Sequence, residues 1–286
     1  SAKSLSRRHD GRFVRTRLLG HAKHLKRNSW FYIKMWNLLV YSLNFSSILI
    51  SNRNFHRINS VAIIMPGMNV PAEEYIELGG ALQTAGNKKN IYSDVIIANV
   101  SSMSKYAYHD ALYDIEHYIK KEYSTTMPRF LIGHSIGAIF GIQLAEECCD
   151  LLVQLGQVFA SQINLGITDG KTMEDYSKPV LTVLGEKDAF FDYTDGYKDL
   201  ESTLLLPTKM LIVVPELTHM QMAGGNIMES AKQKGIVEPK SSMNLKTAHR
   251  IISKFVTEFI DAVYFDSGFN AMRNLHAARV ETWGFY

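Results

Sequence analysis

The run Gly133-His134-Ser135-Ile136-Gly137 constrains this chain more than any other stretch. It stands between an apolar strand candidate over 129–132 and a helix candidate over 136–149. A strand that passes directly into a helix must reverse sharply, and the residue at the apex is then held in a strained backbone conformation. The residues two before and two after the apex come so close that only small ones fit. Gly133 and Gly137 meet that demand, while Ala138 and Gly141 let the helix lie close to the sheet. The alternative for such a run is a glycine-rich packing turn. Read as an apex, Ser135 stands at a strand tip, and the Ile136 N–H opens a helix where negative charge is stabilised.

The chain around this run alternates in period. Continuous apolar runs predict strands over 45–51, 61–65, 94–100, 156–159, 180–184 and 210–214. Helices are expected over 71–85, 109–123 and 247–263; Leu112, Ile115 and Ile119, for example, are spaced three or four apart. Unbroken apolar strands separated by helices imply a mostly parallel sheet covered on both faces, an α/β fold.

With the elbow in this setting, the chain resembles the α/β-hydrolase superfamily over roughly residues 45–265. The resemblance implies a nucleophile, an acid and a base in the order Ser, acid, His. The acid is expected after the run Val180-Leu181-Thr182-Val183-Leu184-Gly185-Glu186-Lys187-Asp188, where Asp188 takes the family position. Glu186, Asp192 and Asp195 are near enough to substitute for it. The base is expected after Leu211-Ile212-Val213-Val214-Pro215-Glu216-Leu217-Thr218-His219, as His219. His109, His134 and His249 are expected to be structural. The oxyanion hole would use the N–H of Ile136 and a second N–H after the 61–65 strand. That strand ends in Pro66-Gly67-Met68 where the family commonly has His-Gly, and Met68 is the expected donor.

What this implies is a serine hydrolase acting on a small-molecule carboxylic ester or thioester. Only about 18 residues, 162–179, separate the strand after the elbow helix from the acid strand, so no large cap domain is expected. In this the chain looks similar to dienelactone-hydrolase-like and chlorophyllase-like members. Phe190 and Met220, with Met68, Met222, Phe191 and Tyr193 nearby, suit an acyl or prenyl-type chain; the alternative is that some of them only pack the loops. Haloalkane and epoxide chemistry needs an Asp nucleophile, which this elbow lacks. No cofactor and no metal is expected, since the sequence has neither H-E-x-x-H, nor a Cys/His cluster, nor a phosphate-binding G-x-x-x-x-G-K-[ST].

Composition adds one asymmetry. Of 286 residues, 46% are hydrophobic and 21% charged, which is ordinary globular usage. Two adjacent cysteines, Cys148 and Cys149, exclude a disulfide framework. The net charge of +3 divides into +11 over residues 1–58 and −8 over 59–286. Residues 1–44 therefore read as a basic aromatic extension, 45–265 as the hydrolase domain and 266–286 as a C-terminal extension. The basic segment reads as a targeting or anchoring element, a polyanion-binding arm or a solvated tail. The first implies an organelle, mitochondrion or plastid, with possible membrane association. The aromatic stretch beginning at Trp30 reads as a helix packed on the body or a partner, an interfacial helix or a membrane span. A second function class stays open: a catalytically silent hydrolase fold serving as a subunit of a larger, membrane-bound organellar complex. An acidic body without a recognition motif gives no support to nucleic-acid binding.

Overall fold

The structure is a computed structural model. It describes residues 39–42, 47–51, 58–100, 102, 104–157, 175–191, 208–227, 235 and 237–265. Eight strands form one sheet: β1 (Leu39–Ser42), β2 (Ile48–Ser51), β3 (Ser60–Met65), β4 (Ser93–Ile97), β5 (Arg129–His134), β6 (Leu151–Leu155), β7 (Val180–Gly185) and β8 (Lys209–Val214). Their spatial order is β1-β2-β4-β3-β5-β6-β7-β8. β2 runs antiparallel to both of its neighbours, and the six strands from β4 to β8 are parallel. Among the described residues, three α-helices connect strands, α1 (Ile76–Asn87), α2 (Lys105–Glu122) and α3 (Ile136–Cys148), and a fourth, α4 (Leu245–Tyr264), follows β8.

Strand periodicity sorts the core into two layers. Ile64, Val95, Ile132, Val153, Leu181 and Ile212 face Leu78 and Leu82 of α1 and Ile252, Val256 and Phe259 of α4. Ile63, Ile96, Leu131, Leu152 and Val180 face Leu112, Ile115 and Ile119 of α2 and Ile142 and Ala145 of α3. Both faces are covered, which is why the strands read as unbroken apolar runs. Ser104 caps α2 by accepting from the Ala107 N–H, and Asn244 caps α4 by accepting from the Thr247 N–H.

Three expectations are corrected. The sheet begins at Leu39 rather than at residue 45: residues 39–42 pair as a strand with β2, so this part of the aromatic stretch is not helical. The strand expected over 156–159 is β6, Leu151–Leu155. It starts early because Asp150 leaves α3 to pair with Arg129, its N–H on the Arg129 carbonyl and its carboxylate on the Arg129 N–H. The helix expected over 71–85 is a 3-10 turn, Ala72–Tyr75, followed by α1. No helix among the described residues is long and apolar enough to cross a membrane. Residues 1–38 of the N-terminal extension, with the aromatic stretch up to that point, residues 162–174 of the segment where the cap expectation falls, and the C-terminal extension 266–286 lie outside the described residues.

Register places the site. Met65 is level with Gly133, His134 with Leu155, and Gly185 with Val214. The segments that follow β3, β5, β6, β7 and β8 therefore leave the sheet along one edge, the carboxyl edge where open α/β sheets carry their ligands.

Candidate active site

Ser135 has φ 54° and ψ −122°, the left-handed half of backbone space that a serine adopts only under constraint. The constraint is packing. A β-carbon on Gly133 would overlap the Ala138 backbone, and one on Gly137 would overlap the Met65 and Pro66 carbonyls. The Ser135 N–H donates to the Leu155 carbonyl at 2.9 Å, tying the turn to β6. α3 begins at Ile136, so the Ile136 N–H lies among the helix's opening, unpaired amides. Gly67 lies against the same turn: a β-carbon there would be 3.4 Å from Ser135 Cβ. Met68 follows, about half exposed.

Asp188 and His219 meet from the ends of β7 and β8. Asp188 Oδ2 lies 2.8 Å from His219 Nδ1. Its other oxygen accepts the Phe190 and Phe191 N–H groups at 2.8 and 3.1 Å. With both oxygens engaged and the side chain wholly buried, the carboxylate has one orientation. The Lys187 N–H donates to the Leu217 carbonyl and locks the two loops together. Glu186 turns elsewhere, accepting from the Glu216 N–H, while Asp192 and Asp195 lie outside the described residues.

Three rings enclose His219. Phe190 and His134 have centroids 4.7 Å from its own, and Phe191 lies 5.7 Å away. Phe190 is 46% exposed, whereas Met220 is buried in a 3-10 turn, Met220–Met222, that follows the histidine. Tyr193 lies outside the described residues. His109 is remote on α2, 3.7 Å from Glu147, and His249 on α4 holds the Ala223 carbonyl at 2.6 Å.

Four contributors escaped the sequence reading. His134, expected to be merely structural, packs on His219, and burial drives its pKa well below the usual imidazole value, so it is neutral. Tyr75 Oη accepts the Gly67 N–H at 2.8 Å and shares a second hydrogen bond with His134 Nδ1 at 2.7 Å. Gly156, at φ 61°, adjoins His219. Glu238 accepts the Met220 N–H through both oxygens, at 3.1 and 3.2 Å, and burial raises its pKa. The signals present in the sequence were the His beside the apical Ser and a Gly just after an apolar run. Nothing local marked Tyr75 or Glu238.

No protein-family model and no curated protein sequence matches the chain. Its structure is similar to solved structures at low sequence identity. TT1662 from Thermus thermophilus is 12% identical with a TM-score of 0.50, over 79% of this chain and 100% of that one. Est1E from Butyrivibrio proteoclasticus is 15% identical with a TM-score of 0.50, over 78% and 98%. The esterase domain of a Rhodothermus marinus protein is 11% identical with a TM-score of 0.52, over 78% and 96%. Together with the strand order, these likenesses define the class: the chain has the α/β-hydrolase fold.

Proposed function

We propose that this protein is a serine hydrolase that cleaves a carboxylic ester or thioester through Ser135, His219 and Asp188. The observation that carries the reading is the Asp188–His219 hydrogen bond, in which the acid's second oxygen is itself held by two backbone amides. His219 takes the Ser135 proton on Nε2 as Oγ attacks the acyl carbonyl. Asp188 keeps the opposite ring nitrogen protonated and stabilises the imidazolium. The oxyanion is received by the N–H groups of Ile136 and Met68. His219 then returns its proton to the leaving alcohol or thiol, and water, deprotonated by the same ring, releases the acid. Phe190, exposed above His219, and Met220 behind it offer an apolar wall to the acyl chain.

The basic residues 1–37 are read, within the same proposal, as the part that sets location, at an organellar membrane surface or on a partner complex. Support is their charge and their aromatic residues.

A fluorophosphonate probe tests the activity. Wild-type protein is expected to label covalently and Ser135→Ala to remain unlabelled while folded. Wild-type protein that neither labels nor hydrolyses short-chain esters favours the silent-subunit reading instead.

A further inference from the structure

The Met68 N–H follows Gly67, a residue whose backbone is free to rotate unless something outside it intervenes. Two buried tyrosines intervene. Tyr108 Oη, on α2, donates to the Pro66 carbonyl at 3.0 Å. The Gly67 N–H donates to Tyr75 Oη at 2.8 Å. These are the two ends of a single peptide unit, which is planar and moves as one piece. Tyr75 belongs to the core layer of α1 and α4, and Tyr108 to the layer of α2 and α3. The peptide is thus gripped from both faces of the sheet. The next peptide is held at one end only: the Gly67 carbonyl accepts the Val70 N–H at 3.2 Å. Its other end, the Met68 N–H, has no acceptor among the described residues. Of the four polar ends in these two peptides, three are satisfied by the protein and one is left over beside Ser135.

We propose that Tyr75 and Tyr108 are positioning residues that aim the Met68 N–H at the developing oxyanion by clamping the Pro66–Gly67 peptide. The proposal rests on the serine-hydrolase reading. Neither hydroxyl touches the substrate; both act through the peptide. Burial raises the pKa of each tyrosine, so each keeps the proton that its role requires. Tyr75 has a second task that Tyr108 does not share. Its hydroxyl also hydrogen-bonds His134 Nδ1 at 2.7 Å, holding the imidazole that packs on His219.

The experiment compares wild type, Tyr75→Phe, Tyr108→Phe and the double variant, with thermal melting to confirm the fold. Losing an oxyanion donor outright costs on the order of 10²–10³ in kcat, so a misaimed donor should cost about tenfold or more in each single variant. KM for a short-chain ester should stay within about twofold, because the clamp acts on the transition state. Affinity for a trifluoromethyl ketone, whose adduct carries the oxyanion, should fall in step with kcat/KM. Since both tyrosines hold one peptide, the double variant should lose little beyond the worse single one, within about threefold. A merely structural role would leave the kcat and ketone readouts unmoved once the fold is confirmed. Singles that turn over and bind the ketone as wild type does, or losses that multiply in the double variant, overturn the clamp while leaving the hydrolase intact. Wild-type protein inert to both ester and fluorophosphonate overturns both readings.

Discussion

Gly156 leaves no room for a side chain beside His219: a β-carbon there would lie 2.7 Å from Nδ1 and 2.9 Å from Cε1. Its φ of 61° adds a backbone cost of about 1–2 kcal/mol for any L side chain. Gly156→Ala is therefore expected to fold with a lowered melting temperature and to displace the imidazole from Asp188. A displacement near 1 Å costs about 10²-fold in rate. Ester hydrolysis by the folded variant checks this; wild-type turnover would show that the ring has space to move.

Asp188→Asn should keep the fold, because its backbone partners still find an oxygen, yet lose on the order of 10⁴ in kcat through the wrong imidazole tautomer. Glu186→Gln should retain most activity, since that carboxylate accepts from the Glu216 N–H and not from His219. The order of the two kcat values decides the assignment. A damaging Glu186→Gln beside a mild Asp188→Asn reverses it.

Glu216, in the turn between β8 and His219, pairs with Lys187 and accepts the Ser242 N–H at 2.6 Å. The Lys187 ammonium, and after it the Ser242 N–H, hold its carboxylate charged and lower its pKa from 4.5 to about 2. The folded state thus binds this proton less readily than the unfolded chain does. Its contribution to stability is full above pH 4.5 and is lost as pH falls toward 2. Glu216→Gln should melt below wild type at pH 7, and the gap should narrow below pH 4.5. Melting curves of both proteins across that range provide the check; a gap that does not vary with pH would place the effect elsewhere.

Removing residues 1–37 leaves β1 in place, whereas removing residues 1–44 strips the strand that covers the outer edge of β2. The shorter deletion should melt like the full chain and keep whatever ester hydrolysis the full chain shows. The longer one should melt lower and aggregate, as an uncovered strand edge invites. Residues 1–37 hold ten Lys and Arg against the single acid Asp10. Their loss should abolish co-sedimentation with anionic vesicles at low salt, at about 1 kcal/mol per basic residue near the surface. Equal sedimentation of the full chain and the shorter deletion would remove the membrane role.

The fold and the meeting of Asp188 with His219 were legible for a shared reason. Apolar runs announce strands buried on both faces, and Ser135, Asp188 and His219 each follow such a run within five residues. What stayed hidden arises from packing between distant segments. Tyr75 and His134 are 59 residues apart in sequence, and their bond exists only once α1 lies over the sheet. Glu238 reaches Met220 from a segment with no pattern of its own. β1 was obscured because a short strand rich in Leu, Val and Tyr shares its composition with an amphipathic helix. The start of β6 was missed because pairing with Arg129, not local propensity, decides it.

The proposed nucleophile and base differ in how firmly the sheet holds them. Ser135 leaves β5, which is paired on both sides by β3 and β6. His219 leaves β8, the last strand of the sheet, which is hydrogen-bonded to β7 alone among the described residues. Strands at a margin fray at lower free energy than those at the centre. Mild denaturant should therefore silence the chemistry while the helices and the middle of the sheet persist, and dilution should restore it. The same asymmetry offers a point of control: whatever grips or prises the outer edge of β8 would govern turnover without touching the serine.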